Sequence, residues 1–381
     1  MSRPTGVNEN SEVYYEGEYW NNLDCTNRMI NARISGDETI NWWSHFARHT
    51  GRVFERALIL NCGNGWVERE MFDGGLFKEA VGIDYSKSLL DDARAATGDR
   101  PLHYVQTNIN DDPLPPGPFD LVVNHAAAHH VTRLDGVFRS ICRLLPEDGW
   151  FISFDYVGPH RNQYLLNAWD EAWKLNQELP EDLRQSMAYP LRDLFVVVDP
   201  TEAVHSELIV ETLHRYFRVA EFVPVGGALA YPLLTHNSQF FAADVDPQER
   251  ELWGQVVLDR DAEFLASNPG TTLFAYVAAQ PDKERLSDPA NLIAWEREEA
   301  LREERAAGND QQYYDRTLLS ALYWEMSCLQ TANKNLQQEL ATIRTSFLYS
   351  HLTRLLDTSL VRRVLQSSLV GRLRRGSPSP S

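Results

Sequence analysis

The sequence predicts an α/β protein built on a doubly wound sheet of seven strands, and three observations carry that prediction. From residue 57 onward, short apolar runs bounded by turn residues alternate with stretches of helical spacing, the pattern of parallel strands whose crossovers cover both faces. A glycine-containing loop follows the first run, and an acidic residue closes the second. The 381 residues, 43% hydrophobic and 24% charged, supply a globular core with chain left over for an appendage.

Residues 1–56 read as an N-terminal helical cap, with Tyr14, Tyr15, Tyr19, Trp20, Trp42, Trp43 and Phe46 spaced along helices that also carry Arg28 and Arg33. The main domain is expected over 57–280. Its strands fall at 57–61, 80–84, 102–106, 119–124 and 150–155, then at 218–225 and 272–279. Residues 157–203 form an insertion on the acceptor side, helical over 161–188 and ending in Asp199-Pro200-Thr201-Glu202. A charged segment, AWEREEALREERAAGND, makes 281–314 a helical linker.

Over 315–347, Leu319, Leu322, Met326, Leu329, Asn333, Leu336, Leu340, Ile343 and Phe347 recur in steps of three and four, the seam of a coiled coil. Asn333 takes an a position, where it pairs best with its own copy in a parallel homodimer. The alternative is a helix packed on its own domain. The tail, 348–381, keeps helical apolar spacing and carries Arg354, Arg362, Arg363, Arg372, Arg374 and Arg375 against Asp357 alone. Such a helix suits peripheral contact with an anionic membrane, or it docks on the acidic body of the same chain.

Net charge bounds the partners. With 54 acidic against 36 basic residues the chain carries −18, which repels polyphosphate and disfavours a nucleic-acid substrate. Cys25, Cys62, Cys142 and Cys328 show neither CxxC nor Cys/His spacing, so no disulfide framework and no metal site are expected. The N-terminus is polar and acidic where a signal peptide is basic and then apolar, and no apolar run is long enough to span a bilayer. A cytoplasmic protein is the expectation, peripheral at the inner face of the plasma membrane if the tail binds lipid.

The strand ALILN runs into Cys62-Gly63-Asn64-Gly65-Trp66, and the second strand ends at Asp84. A strand, a glycine turn, a helix start and an acid about twenty residues on is how α/β domains hold an adenosine-containing cofactor. A dinucleotide loop places a third glycine where this chain has Glu68, and a carboxylate there would repel pyrophosphate.

With these motifs in place, the chain resembles the class I S-adenosylmethionine-dependent methyltransferases. LNCGNG, VGIDYS, QTNIND, FDLVVNHAAAHHV and ICRLLPEDGWFISFDYVG match motif by motif over about 57–157. NARISGD, DYVGPHRNQY and DPTEAVHSELI are similar to a bacterial branch found beside polysaccharide and glycolipid genes. The resemblance implies a Rossmann-like fold with S-adenosyl-L-methionine as cofactor. It passes Gly63 and Gly65 under the methionine moiety, puts Asp84 on the ribose, borders adenine with Asn108 and Ile109, and faces the backbone around Asn124 to the sulfonium. Asn61, Cys62, Asn64 and Tyr85 complete the implied cofactor contacts. It also expects an acid where this chain has Asn61 and commonly Asp where it has Asn108, at a cost of about 1 kcal/mol per hydrogen bond.

A hydroxyl acceptor must lose a proton, and His125, His129 and His130 stand just past the fourth strand, where the cleft of such a sheet opens. Histidine suits that role. The resemblance favours His129 as the base, with His130 the second candidate; His125, Tyr156, His160, Arg161 and Arg28 are further candidates for the acceptor side by position, an arginine being suited to the methionine carboxylate or an acidic substrate. The motif NHAA lacks the Asn/Asp-Pro-Pro-Tyr signature of amino-group methylation on bases. No metal-ligand spacing is present, although an acceptor diol is able to bring an ion. The reading is an O-methyltransferase acting on a small-molecule or glycan acceptor. Its rivals are a natural-product O- or N-methyltransferase and a non-catalytic cofactor-binding scaffold.

Overall fold

The computed structural model describes residues 18–191, 199, 201–289, 311–346 and 354. The expectations for residues 290–310 and, apart from Arg354, for the basic tail lie outside the described residues. Two compact units are separated at Trp324, namely Met1–Trp324 and Glu325–Ser381.

All seven expected strands form. They are β1 (Phe54–Leu60), β2 (Phe77–Asp84), β3 (Leu102–Gln106), β4 (Leu121–His125), β5 (Trp150–Tyr156), β6 (Phe217–Gly226) and β7 (Phe274–Pro281). They join in one sheet of order 3-2-1-4-5-7-6. Strands β1 to β5 pair in parallel, and β7 enters antiparallel between β5 and β6. The chain reverses direction across the sheet between β1 and β4, and ligands of open α/β sheets bind in the crevice outside the carboxyl ends at such a point.

Period-two alternation sorts the side chains between two cores. Ala57 and Ile59 of β1 belong to one core, with Ile30 and Ile34 of α1 (Asp24–Ser35), Trp42 and Phe46 of α2 (Trp42–Thr50) and Met71 of α3 (Trp66–Asp73). Leu58 and Leu60 belong to the other, with Phe138 of α5 (Leu134–Leu144). Helix α4 (Lys87–Ala96) buries Leu90 in the first core, and α7 (Ile209–Tyr216) buries Leu213 in the second. The N-terminal helices thus share the sheet's own core.

The insertion is less helical than its spacing predicts. Among the described residues of the expected helical stretch 161–188, α6 (Leu166–Glu178) forms, with short turns of 3-10 helix at His160–Asn162 and Glu181–Leu183. After α8 (Ala230–Leu234) comes a 21-residue helix, α9 (Pro247–Ser267), with Asp246 as its N-cap and proline at its start. That start signal stood in the sequence, although the sequence reading did not single out this helix. After α10 (Lys283–Ser287), α11 (Gln311–Thr345) runs for 35 residues through the expected seam. No helix among the described residues is long and apolar enough to cross a membrane.

Candidate active site

The cofactor side of the crevice is built by the turn after β1. Asn61, Gly63 and Gly65 adopt φ of 42°, 57° and 77°. Gly65 caps the start of α3, and a Cβ there would lie 2.5 Å from the Tyr104 hydroxyl. Asparagine is among the few side-chain-bearing residues that tolerate this backbone region. Its role at position 61 is therefore conformational, and its Nδ2 also donates to the Ala127 carbonyl at 3.4 Å. Asn64 stays in the turn, where its Oδ1 accepts from the Trp66 amide. The Cys62 thiol is buried, and burial together with the Glu68 and Asp84 carboxylates pushes its pKa well up.

Asp84 ends β2 with its carboxylate turned to the glycine turn. Its Oδ2 accepts from the Gly63 amide and its Oδ1 from the Ser86 amide, both at 2.8 Å. Burial raises its pKa against these bonds. Each oxygen keeps a second lone pair, the paired acceptors that a ribose diol requires. Positive-φ glycines beside a fixed carboxylate fit S-adenosylmethionine. Tyr85 is partly exposed next to it and holds Gln106 through its carbonyl.

Asn108 turns its side chain to its own loop. Its Nδ2 donates to Asp111 at 2.7 Å and its Oδ1 accepts from the Asn110 amide. A neutral side chain here shapes the loop, which also contains Asp111 and Asp112. Ile109 is buried in the second core. Asn110 then ties this loop to the next, since its Oδ1 accepts from the Thr132 amide at 2.8 Å and its Nδ2 donates to the His130 carbonyl at 3.3 Å.

The acceptor side centres on a residue the sequence reading passed over. Asp155, next to last in β5, is fully buried. Its Oδ2 accepts from Asn124 Nδ2 and the Ala128 amide, each at 2.7 Å, and from the Ala127 amide at 3.2 Å. Its Oδ1 lies 2.6 Å from His129 Nδ1. Asn124 is thereby turned into the sheet, where it also donates to Ser153, so its side chain is not presented to a cofactor. An acid closing a strand at the mouth of the crevice was the signal available in WFISFD.

The three histidines differ by environment. Burial alone would lower the pKa of His129, but the charge and hydrogen bond of Asp155, with Glu202 beyond, push it up. Burial opposes ionisation of Asp155 too, and the His129 charge overcomes it, holding that carboxyl below its ordinary value. Burial and the neighbouring His129 push His130 down to about 4. Burial does the same to His125, again to about 4, whose ring stacks on Trp42 and meets Trp66 edge-on. His125 is thus a neutral aromatic element of the wall.

A second loop closes over His129. The Val204 amide donates to the His129 carbonyl at 3.2 Å, and Glu202 Oε2 lies 3.8 Å from Nε2 of both His129 and His130. Arg161 is buried, with Nη1 donating to the Asp199 and Glu202 carbonyls. Its guanidinium holds the Glu202 loop. Tyr156 is likewise a wall residue, packed on Tyr231 and Phe274 with its hydroxyl donating to the Pro159 carbonyl. Arg28 lies on the outer face of α1, where it pairs with Glu38 and Glu251. Ala126, Arg161, Asn162 and Ala203 all take positive φ, backbone strain of the kind that persists where surrounding contacts fix a site.

Metal-ligand spacing that is absent along the chain is present in space. His129, His130 and Glu202 each offer a ligand atom within 4.8 Å of the others. Their separation along the chain hid this.

The fold and the crevice define an α/β domain of the class that binds S-adenosylmethionine, and comparison with known proteins agrees. Residues 58–153 match the family described as "Methyltransferase domain". The chain is 30% identical over 154 residues to a malonyl-[acyl-carrier protein] O-methyltransferase of Enterobacter lignolyticus, covering 40% of this chain and 59% of that protein. It is 26% identical over 179 residues to EEF1A lysine methyltransferase 4 of Mus musculus, covering 41% and 67%. A crystal structure of an S-adenosylmethionine-dependent methyltransferase from Mesorhizobium loti aligns with a TM-score of 0.37 and 20% identity, over 60% of this chain and 91% of that one. The chain thus spans less than two thirds of the first of these curated relatives.

Glu68 is fully buried beside Cys62 and Tyr104. Burial pushes its pKa up to about 7. A carboxyl raised on folding contributes stability that is fully present below its unfolded value and lost as pH rises through the folded one. Thermal unfolding followed from acid to alkaline pH should therefore show Glu68→Gln more stable than the parent at pH values above about 7, the difference vanishing below about pH 4.5.

Proposed function

We propose that the protein is an O-methyltransferase that moves a methyl group from S-adenosylmethionine to a hydroxyl of a polar, sugar-containing acceptor, with His129 as the base. The observation that carries this is the buried Asp155–His129 pair at the carboxyl end of the sheet. When bound, the cofactor supplies a methyl group on a sulfonium that is already activated for transfer. What the chain must add is alignment and a place for one proton. Asp84 and the glycine turn hold the donor. Asp155 fixes the His129 ring with Nδ1–H toward itself and Nε2 outward, and stabilises the positive ring that forms when Nε2 takes the acceptor's proton. A positioned base of this kind contributes about 10²–10⁴-fold.

The sugar-containing acceptor is supported by NARISGD, DYVGPHRNQY and DPTEAVHSELI, the last of which builds the Glu202 loop. A natural-product hydroxyl or amine is the second reading, favoured by relatives named for an O- and a lysine methyltransferase. The scaffold reading is weakened, because Asn61 and Asn108 have conformational work in the turns they occupy.

The exposed side chains of α11 support a homodimer. Leu322, Met326, Leu329, Leu336, Leu340 and Ile343 are each about half exposed or more along one helix, an apolar stripe that a second copy would cover.

Calorimetry should show S-adenosylmethionine binding that Asp84→Ala weakens at least tenfold; a parent protein that does not bind it would end this reading. His129→Ala should cut turnover at least tenfold, in a mass-shift assay on sugar acceptors, without changing donor affinity. With no divalent ion added, turnover should rise with pH through an inflection above the ordinary histidine value of about 6.5, and Asp155→Asn should move that inflection down. In sedimentation, the Leu329→Glu, Leu336→Glu double variant should be monomeric where the parent is a dimer; an unchanged mass would mean α11 does not drive assembly.

A further inference from the structure

We propose that His129, His130 and Glu202 form a binding site for one divalent cation of the zinc class on the acceptor side of the crevice. The three residues each offer a ligand atom within 4.8 Å of the others, and the atoms that face one another are His129 Nε2, His130 Nε2 and Glu202 Oε2. Oε2 stands 3.8 Å from each of the two nitrogens. That is too long for a hydrogen bond, which closes at about 2.7–3.2 Å, so the carboxylate does not settle on either ring. It is instead near the spacing of donors around one ion. A cation about 2.1 Å from each donor in a tetrahedron separates them by roughly 3.4 Å, a few tenths of an ångström less than the two oxygen–nitrogen separations found here, with all three donors within 4.8 Å of one another.

The atoms behind the donors support the same reading. Metal-bound histidine characteristically gives its other ring N–H to a carboxylate or another oxygen acceptor, which fixes the tautomer and aims the ligand nitrogen. Both rings have that partner. His129 Nδ1 meets the buried Asp155 carboxylate at 2.6 Å. His130 Nδ1 meets the Thr201 hydroxyl at 3.3 Å. That hydroxyl donates its own proton to Asp199 Oδ1 at 2.9 Å, so its oxygen is left to accept from the ring. Each histidine therefore carries its proton on Nδ1 and a lone pair on Nε2. Glu202 is held from behind, since its backbone carbonyl accepts from Arg161 and its Oε1 faces Asn162 Nδ2 at 3.5 Å.

Charge points the same way. Asp155, Asp199 and Glu202 surround two imidazoles, an anionic setting for a cation. Two nitrogens and one carboxylate oxygen suit zinc, cobalt, iron or manganese, whereas calcium and magnesium prefer oxygen alone. Three protein ligands leave a position open, as in catalytic rather than structural zinc sites. On the methyl-transfer reading, that position is where an acceptor hydroxyl or vicinal diol would bind and be acidified, its proton passing to water, because the cation would occupy the His129 Nε2 lone pair that takes the proton when no ion is bound. This consequence rests on the proposed function; the binding itself does not.

The test uses the full chain after treatment with a chelator and its removal. Titration with Co²⁺, followed by visible absorption, should saturate at one equivalent, and Zn²⁺ should displace it while Mg²⁺ should not. His130→Ala and the isosteric Glu202→Gln should each weaken uptake at least tenfold, and Asp155→Asn about ten- to a hundredfold through the ring it orients, with thermal unfolding confirming that each variant is folded. No saturable uptake, uptake unchanged in both His130→Ala and Glu202→Gln, or equal competition by Mg²⁺ would overturn the proposal. S-adenosylmethionine binding measured on the same samples separates the two readings. Cofactor binding without Co²⁺ uptake ends the cation site alone, and Co²⁺ uptake without cofactor binding ends the methyl-transfer reading alone. If both hold, Zn²⁺ loading should move the inflection of the rate profile to lower pH.

Discussion

The carboxylate of Asp155 is the constraint on which the rest of the acceptor side depends. A buried ion costs several kcal/mol to remove from water, and it persists only where hydrogen bonds and an opposite charge offset that cost. Here the offset comes from the Asn124 amide, the backbone of the turn after β4, and the His129 ring. Those same contacts place the histidine. The turn cannot relax without leaving the carboxylate unpaired, so the orientation of His129 is set by the electrostatics of the strand beside it.

From that point the loops lock to one another in sequence. Asn61 ties the glycine turn to the turn after β4, and Asn110 ties the loop after β3 to His130. Val204 and Arg161 bring the Glu202 loop down on the histidines. The donor half and the acceptor half of the crevice are therefore mechanically joined through short polar side chains. Asparagine recurs at these joints because it both tolerates unusual backbone angles and offers a donor and an acceptor on one side chain. The absence of carboxylates at 61 and 108 then has a physical reason that does not imply a lost activity.

Much of this was legible in the chain. Each of the seven strands lies where an apolar or alternating run sits between turn residues; burial on both faces leaves a near-continuous hydrophobic signal in the central strands, and the edge strand β6 alternates. The glycine turn and Asp84 were equally legible, since a sharp turn and a ribose-binding acid sit at fixed distances within one βαβ unit. His129 was singled out as well. Asp155 and Glu202 were not recognised as its partners, because β5 follows the histidines by a whole crossover and the Glu202 loop follows an insertion whose helical content was overestimated. Arg161, expected from its charge as an acceptor ligand, is buried with Nη1 donating to loop carbonyls, a contact that sequence spacing does not record.

The sequence by itself determined the class of sheet, the glycine turn and the apolar stripe of α11, all of which are local patterns of period and spacing. Only the tertiary structure decided which acids face which histidines, that Asn124 turns inward, and that three donors from two distant segments converge within 4.8 Å. The reason is that a side chain's chemistry follows from its neighbours in space. In a doubly wound sheet those neighbours come from strands and loops separated by helical crossovers, and sequence spacing does not record them.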